Sequence, residues 1–430
     1  MTTALQAIAF KAQTHPKHRF GNLSRLLDED LLYRSWGQLK KDAAPGVDGL
    51  TAKVFKQNLS LNVSSLVDEL KSGRYRTKAI KRIHIPKASG QTRALGLPAV
   101  RDKLCQHGVA SVLSSIWEQD FLPNSYGYRP NKSAHGAVYS LRENLQMGRY
   151  GYIVEADIKG FFDTVDHSWL KKMLEHRIDD KRFVNLINQW LKVDIIEEGK
   201  ASLKAEEGTP QGGVISPVLA NIYLHYVLDL WFSKVVQPRL KRKAMLIRYC
   251  DDFVVAFQSK RDAENFYKVL PKRLNKFGLA IAPEKTQLIE FSRFKPGRKR
   301  CFTFLGFDFY WNINQRGYAI LRRKTTRAKQ RDSMTLMTAW IKANRHKKIR
   351  VLLPCLQRKL IGFSNYFGII DNSASVVKYY FHMSHTLLKW LNRRSQLSSY
   401  NWSSFRQVLE VYNIYYPKVR KLKVVVDWYR

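Results

Sequence analysis

The chain has 430 residues, of which 45% are hydrophobic and 25% are charged. This apolar content supports a large core and excludes a mainly disordered tail, and the length suggests about two or three domains. Lys and Arg number 74 against 35 Asp and Glu, which leaves a net charge of +39 and a pI near 10.1. A charge of this size indicates a polyanionic partner, and nucleic acid is the first candidate.

Signals for membranes, export and zinc binding are missing from the sequence. No run of about 18 apolar residues occurs, and the N-terminus lacks the apolar core of a secretory signal, which predicts a cytoplasmic protein without a membrane partner. The four cysteines are far apart and form no CxxC pair, which argues against a zinc module or a disulfide framework. His382 and His385 have no carboxylate nearby, so we expect them to be structural.

The first elements in chain order are an N-terminal extension and a hairpin. Residues 1–44 have a polar helical pattern that ends at the Pro- and Gly-containing turn 45–49. Residues 79–86 alternate polar and apolar side chains, and the pattern resumes at 92–97 after a turn. This predicts a β-hairpin with a basic tip.

The middle of the chain alternates strand and helix patterns. Residues 152–158 and 245–257 are short, β-branched or aromatic segments that carry acids where a buried strand should not, and helical patterns cover 168–177 and 217–235. This alternation predicts an α/β or α+β central domain.

The end of the chain, beyond about residue 318, has a helical, basic and aromatic pattern. From residue 316 onward there are 24 Lys and Arg and four Asp and Glu, a net charge of +20. Cations bind phosphates, whereas rings either stack on bases or pack a core. The helical spacing of the rings favours the core for most of them.

Asp251 and Asp252 stand side by side within an apolar strand-turn-strand pattern. An isolated pair of this kind is usually a solvated hairpin turn. A divalent metal site is the alternative, and it gains weight because Asp157 ends another apolar strand. Three carboxylates suit two Mg²⁺ ions, which activate an attacking 3′-hydroxyl and neutralise a leaving pyrophosphate, as nucleotidyl transfer requires.

Other parts of such a site occur in the expected order. Lys87 and Arg93 at the hairpin could place cations on a triphosphate, and the Gly-rich segment 208–213 lets a nucleotide approach the backbone closely.

These residues match the motifs of a known family. Residues 157–163 (DIKGFFD), 208–217 (GTPQGGVISP), 249–252 (YCDD) and 304–307 (FLGF) resemble, in this order, bacterial group II intron-like reverse transcriptases. Further matches at 46–49, 95–98 and 125–130 extend the resemblance over roughly residues 44–309, and more loosely over the helical end.

The resemblance implies an α+β right-hand polymerase. Its fingers and palm would contain an antiparallel sheet packed on helices, and its thumb would be helical and basic. The implied division is an extension at 1–44, fingers with the start of the palm at 45–156, palm at 157–313, and thumb with a short basic tail at 314–430.

The resemblance also implies roles for individual residues. Asp157, Asp251 and Asp252 would be catalytic and hold two Mg²⁺ ions, for which Mn²⁺ can substitute, with the Ile158 carbonyl as an additional ligand. The primer grip would consist of Phe304, Leu305, Gly306 and Phe307.

The implied nucleotide pocket has five members. Lys87 and Arg93 would clasp the triphosphate, Phe162 would exclude a ribose 2′-hydroxyl, Gln211 would line the pocket, and Lys285 would donate a proton to pyrophosphate. Taken singly, the cations have the alternative of solvated surface charges, and Phe162 has the alternative of a core ring.

Cys250 occupies a position where intron-encoded members commonly have Ala, and only a short stretch follows the implied thumb. In these respects the chain is most similar to stand-alone defence-associated reverse transcriptases of class 2. This implies a structured noncoding RNA as template and scaffold, an RNA/DNA template-primer duplex, dNTP substrates, and a monomer in a ribonucleoprotein serving antiphage defence. Two alternatives stay open: a group II intron-encoded reverse transcriptase and maturase for mobility and splicing, and a mainly RNA-binding maturase.

Overall fold

The computed structural model describes residues 2–86, 92–197, 203–204, 208–209, 212–297, 300–396, 399–414 and 416–417. The fold is mixed α+β, as expected from the sequence. The chain divides into two compact units, one formed by residues 1–137 and 154–288 and the other by residues 138–153 and 289–430.

The helices are, in chain order, α1 Thr3–Thr14, α2 Glu29–Gln38, α3 Ala52–Gln57, α4 Leu59–Ser72, α5 Val100–Trp117, α6 Ala134–Met147, α7 His167–Glu175, α8 Lys181–Leu191, α9 Ser216–Leu224, α10 Lys260–Asn275, α11 Arg327–Asn344, α12 Ile349–Phe367, α13 Ser373–Leu391 and α14 Trp402–Val411. After α9 the chain continues in the π-helical turns His225–Asp229 and Phe232–Val236.

The strands are β1 Ile80–Pro86, β2 Thr92–Leu97, β3 Tyr152–Ala156, β4 Asp194–Glu197, β5 Leu203–Lys204, β6 Ala244–Tyr249, β7 Asp252–Phe257, β8 Gln287–Glu290, β9 Cys301–Phe304, β10 Phe307–Ile313 and β11 Ala319–Thr325. They form three sheets, with the strand orders β2-β1-β4-β5, β6-β7-β3-β8 and β11-β10-β9.

The predicted basic hairpin is confirmed. β1 and β2 pair antiparallel, with Ile83 opposite Leu95 and Ile85 opposite Arg93. β4 adds to the other edge of β1 in parallel. The predicted tip, including Lys87, lies outside the described residues.

The strand-turn-strand around the paired aspartates is also confirmed. β6 and β7 pair antiparallel from Ala244 opposite Phe257 to Tyr249 opposite Asp252, so Cys250 and Asp251 form a two-residue turn. β3 is the next strand of the same sheet after β7. Asp157 directly follows β3 and therefore lies at the end of the strand that neighbours β7.

The core of the first unit consists mainly of apolar helices packed beneath this sheet. α5 buries most of its length, including Leu104, Val109 and Trp117. In α9, Tyr223 is fully buried and its hydroxyl donates to the Phe277 carbonyl at 2.6 Å. Because buried side chains are closely packed, these helices form a rigid support for the sheet.

The second unit begins its helical part later than the sequence pattern indicates. Helices were expected from about residue 318, but residues 319–325 form β11, and α11 starts at Arg327. The inward side of β11 includes Arg323, which is buried and bonded through Nε and Nη2 to Asp371 at 3.0 and 2.8 Å. A charged side chain facing inward hides the apolar alternation on which a strand prediction depends.

The helices of the second unit pack around their own apolar core. Ile341 of α11, Leu356 of α12 and Leu387 of α13 are fully buried there. Tyr379 belongs to this core, and Trp340, Tyr380, Trp390 and Tyr400 pack against it. This agrees with the expectation that most rings of this region serve packing.

The two histidines predicted to be structural have structural surroundings. His382 Nε2 lies 2.9 Å from the Thr338 hydroxyl, and the His385 ring packs edge-on against Trp402. Across the described part of the chain, no helix is long and apolar enough to span a membrane.

Candidate active site

The turn between β6 and β7 carries the two aspartates on an unusual backbone. Cys250 has a φ of +58°, which L-residues other than Asn and Asp seldom adopt. Such a conformation persists only where surrounding structure holds it in place. The support comes from a buried arginine on the preceding strand.

Arg248 is fully buried and uses all five of its N–H donors. Nε and Nη2 bind the two carboxylate oxygens of Asp229 at 2.9 and 2.6 Å. The remaining bonds go to the Asn221 side-chain oxygen at 3.1 Å, the Ser125 hydroxyl at 2.7 Å and the Cys250 carbonyl at 3.0 Å. The guanidinium thereby connects the turn to the helical core.

A close backbone contact supports the same turn from another segment. A Cβ atom at Gly127 would lie 2.5 Å from the Cys250 nitrogen, so only glycine fits there. The Gly127 carbonyl accepts from the Asn221 amide at 2.7 Å. Asn221 therefore binds both Arg248 and the segment beneath the turn, which explains why the 125–130 motif belongs to this site.

Cys250 also contacts the first aspartate. An interaction with its thiol lowers the Asp251 pKa, against a net rise caused mainly by burial and then by the charge of Asp157. Burial raises the pKa of the thiol itself to about 12. The thiol is therefore neutral.

Asp157 lies beside the turn and holds a lysine. The segment after β3 bridges residues 280–282: the Lys159 N–H donates to the Ala280 carbonyl at 2.8 Å, and the Ala282 N–H donates to the Asp157 carbonyl at 2.9 Å. This brings Lys285 into position, and its Nζ lies 2.6 Å from Asp157 Oδ2. The bond raises the Lys285 pKa.

The carboxylates of this site repel one another. The pKa of Asp252 rises to about 7 because the surrounding protein reduces the hydration of its carboxylate, although the residue is exposed, and because Asp251 and Asp157 add negative charge. Lys285 opposes this rise, and Glu155 adds to it. The cluster has more negative charge than its neighbouring cations balance.

The donor chemistry of the cluster fits a divalent cation. Carboxylate oxygens are the ligands that Mg²⁺ prefers, and a bound cation would relieve the repulsion. Within the described residues, however, no group of three His, Cys, Asp or Glu side chains is arranged to hold a metal ion. Asp157 instead binds the Lys285 ammonium. The cluster therefore matches a divalent cation in its charge and in the type of its donor atoms, and not in the arrangement of its side chains.

Phe162 and the start of the Gly-rich motif are joined. The Phe162 carbonyl accepts from the Thr209 N–H at 2.6 Å, and Gly208 has a φ of +88° with its would-be Cβ only 2.8 Å from that carbonyl. The Phe162 ring is half-buried and meets Phe161 edge-on, whereas Phe161 is the buried core ring. Phe162 therefore keeps an open face, which a fully packed core ring would lack.

The other predicted residues fall into three groups. Arg93 is exposed on β2 and lies close enough to Asp251 for its charge to lower the pKa of that carboxyl. The Ile158 side chain is buried at the bridge to Ile281. Lys87 and Gln211 lie outside the described residues.

The predicted primer grip lies in the second unit, at the hairpin between β9 and β10. Leu305 and Gly306 form its two-residue turn with φ of +50° and +80°. The rings of Phe304 and Phe307 are buried, and the Leu305 carbonyl accepts from the Tyr366 hydroxyl at 2.9 Å. The two phenylalanines therefore anchor the turn, and their rings are not available to a ligand.

The sequence reasoning missed the support beneath the turn that carries Asp251 and Asp252. Arg248 interrupts an apolar strand, and Asp229 interrupts an apolar helical segment. Charges inside two apolar runs are the signal of a buried ion pair, since neither is tolerated there alone.

A double-mutant cycle tests the role of this pair. We expect Arg248→Met or Asp229→Leu alone to cost about 3–5 kcal/mol in the free energy of unfolding, because each leaves a buried unpaired charge. The double variant should regain most of that stability but little DNA-synthesis activity, because the Cys250 carbonyl still lacks its donor. Urea unfolding and primer extension measure the two effects.

The exposed pair of Arg34 and Asp30 is the matched control, since it also joins Nε to a carboxylate at 3.0 Å. Removing it should change the stability by less than about 1 kcal/mol. Wild-type activity in the Arg248→Met, Asp229→Leu double variant would contradict a positioning role.

The pKa of Asp252 predicts a pH-dependent effect on stability. Because the pKa is about 7 in the fold against 3.8 ordinarily, the folded chain keeps a proton that the unfolded chain loses, and stability falls as the pH rises through that window. In EDTA, Asp252→Asn should have a higher melting temperature than the wild type at about pH 8, with the difference shrinking near about pH 4.

Added Mg²⁺ should raise the wild-type melting temperature at the higher pH and raise that of Asp252→Asn less. Differential scanning fluorimetry measures both, with Asp42→Asn, a change at an exposed aspartate of the first unit, as the control. Equal melting temperatures for the wild type and Asp252→Asn at every pH would show that the site carries no such repulsion.

Comparison with known proteins identifies the family. The reverse transcriptase (RNA-dependent DNA polymerase) family matches residues 85–309, slightly more than half of the chain. Protein YkfC of Escherichia coli strain K12 is 37% identical over 282 residues, which cover 58% of this chain and 73% of that protein. The group II intron-encoded protein LtrA of Lactococcus lactis subsp. cremoris is 27% identical over 473 aligned residues, covering 90% of this chain and 76% of that protein.

A more distant match is the telomerase reverse transcriptase of Takifugu rubripes, 28% identical over 120 residues that cover 28% of this chain and 11% of that protein. The region matched by the family contains all three aspartates and the buried arginine beneath them. Members of this family use an RNA template, nucleotide substrates and, in general, divalent metal ions. The chain belongs to the reverse transcriptase family and is an RNA-directed DNA polymerase.

Proposed function

We propose that Asp157, Asp251 and Asp252 are the catalytic residues of a two-metal nucleotidyl transfer that copies a structured RNA into cDNA. The observation that carries this proposal is the β6-β7 turn, which holds two aspartates beside Asp157 on a backbone supported by Arg248. Mutual repulsion of the carboxylates supports a cation-binding role.

Two Mg²⁺ ions held by these aspartates, with the Ile158 carbonyl, would activate the primer 3′-hydroxyl and neutralise the leaving pyrophosphate. The residues of the chain have their own tasks. Lys285 keeps Asp157 in place and, as a protonated amine, is the proposed donor of a proton to pyrophosphate. Arg93 supplies an exposed cation to the triphosphate, together with Lys87.

The proposed pocket also selects the sugar. Phe162 lies in the turn that follows Asp157, and its ring is half-buried, which suits contact with the ribose 2′ position. Gln211 is proposed to line the same pocket. The backbone turn at Leu305 and Gly306, anchored by Phe304 and Phe307, is the proposed primer grip.

In polymerase terms we assign the extension to 1–44, the fingers and start of the palm to 45–156, the palm to 157–313, and the thumb and basic tail to 314–430. The β6-β7-β3-β8 sheet supports the palm assignment, because it carries the aspartates. The basic helices α11 to α14 support a thumb that follows the template-primer duplex.

For the biological role we propose antiphage defence, with a dedicated structured noncoding RNA as template and scaffold and a cytoplasmic, monomeric protein in the ribonucleoprotein. Cys250, directly before Asp251, supports the distinction from intron-encoded members, which commonly have Ala there. The net charge of +39 supports a large RNA partner.

The second candidate is a group II intron-encoded reverse transcriptase and maturase, or a mainly RNA-binding maturase. The match to the group II intron-encoded protein LtrA over 90% of this chain favours it. The two candidates differ in the RNA that the protein holds.

Capture of the bound nucleic acids separates these roles. We expect one short structured RNA, with cDNA copied from it, to copurify with the wild type, and the Asp251→Ala, Asp252→Ala variant to retain the RNA without the cDNA. Sequencing of both fractions, with and without phage, is the measurement. Intron RNA with products at intron borders would support the second candidate, and cDNA made by the double variant would refute the catalytic assignment.

The sugar gate has its own test. Phe162→Ala should increase ribonucleotide incorporation relative to deoxyribonucleotide incorporation by about tenfold or more, because the open ring face no longer blocks a 2′-hydroxyl. Single-nucleotide extension with each sugar measures the ratio. Phe161→Leu is the neighbouring control, since that ring is in the core, and an unchanged ratio in Phe162→Ala would remove Phe162 from the pocket.

A further inference from the structure

An exposed apolar cluster lies in the second unit and includes none of the residues assigned above. It consists of Phe294, Met147, Tyr318 and Ile313, whose exposed fractions are 87%, 81%, 69% and 54%. Large apolar side chains this open to water indicate a surface that another molecule covers.

Three separate chain segments are bound together beneath this cluster. Arg293 Nη2 donates to the carbonyls of Gln146, at 2.9 Å, and Gly148, on either side of the exposed methionine. The Gln146 amide donates to the Ala319 carbonyl at 3.3 Å and accepts from the Leu321 N–H at 2.7 Å. These hydrogen bonds hold together the end of α6, the segment after β8 and the β10-β11 hairpin. The exposed residues lie on these three segments.

The three chain segments that carry the cluster contain basic residues and no acid. Segments 144–153, 291–297 and 311–320 contain Arg149, Arg293, Lys295 and Arg316 and no Asp or Glu. Arg149 and Arg316 are exposed, whereas Lys295 pairs with Glu290 at 2.8 Å. The surface thus combines open rings with exposed cations.

We infer that this cluster binds single-stranded RNA, with Phe294 and Tyr318 stacking on bases and Arg149 and Arg316 binding phosphates. Aromatic faces beside cations form the usual platform for unpaired nucleotides, since every base has a face to stack. Bases in a duplex are already stacked, which favours an unpaired segment. The inference requires only the family's RNA template and is independent of the metal site.

The occupant is RNA rather than an apolar protein partner because of the charge. The two exposed arginines and the lack of any acid in the three segments give this surface a positive charge that complements the phosphates of RNA. An RNA-directed polymerase also has unpaired template to hold beyond the copied duplex.

The test compares full-length variants in binding a fluorescein-labelled, unstructured oligoribonucleotide of about 20 nucleotides. Phe294→Ala, Tyr318→Ala should lose about tenfold or more in affinity, with an unchanged melting temperature. Arg149→Gln, Arg316→Gln should lower the salt dependence of binding by about one to two ion contacts. Phe10→Ala, which changes a ring 68% exposed on α1 in the other unit, is the matched control.

Single-nucleotide extension of a preformed primer-template duplex with one unpaired template base, at saturating concentration, should be unchanged in the ring variant, so a failure here is distinguishable from failure of the catalytic assignment. Unchanged RNA affinity in Phe294→Ala, Tyr318→Ala would overturn the inference, as would an equal loss in Phe10→Ala. A ring variant that binds RNA normally but no longer self-associates would assign the cluster to contact between two copies of the chain.

Discussion

The buried ion pair of Arg248 and Asp229 is the interaction on which the position of the aspartates at the β6-β7 turn depends. Each charge has a high desolvation cost, and the cost is offset only because both carboxylate oxygens and every guanidinium N–H have partners. One of those partners is the Cys250 carbonyl, at the left-handed residue of the turn that presents the aspartates. The pair thus links the left-handed turn to the buried core of the first unit. Relaxation of the turn would therefore disturb the bonds of this buried pair.

The aspartate cluster shows why such support is needed. Three carboxylates close together repel one another, and this repulsion adds to the effect of burial in raising the pKa of Asp252. A flexible turn would move its charges apart, toward water. Because the backbone at the turn is held from below, the unfavourable charge density persists and is available to bind a cation. The Lys285 ammonium, which is bonded to Asp157, neutralises part of this negative charge.

In the second unit, buried aromatic rings and an ion pair stabilise the fold, whereas other rings are exposed to solvent. Phe304 and Phe307 anchor a tight hairpin, and Arg323 with Asp371 connects β11 to the chain before α13. Phe294 and Tyr318, by contrast, are exposed, and the chain segments that carry them are joined by hydrogen bonds. Residues of one chemical type therefore perform two different tasks, and burial alone separates them.

The sequence by itself determined the α+β class, the basic hairpin, the strand-turn-strand of Asp251 and Asp252 and the family, because these depend on local alternation and on motifs in fixed order. It did not determine which charges are buried together: Arg248 and Asp229 are 19 residues apart along the chain, and only folding shows that they meet. β11 was missed for the same reason, since an inward-facing Arg323 looks like a surface residue until Asp371 lies against it. Burial and long-range pairing are properties of the tertiary structure, so the support of the site could be recognised only there.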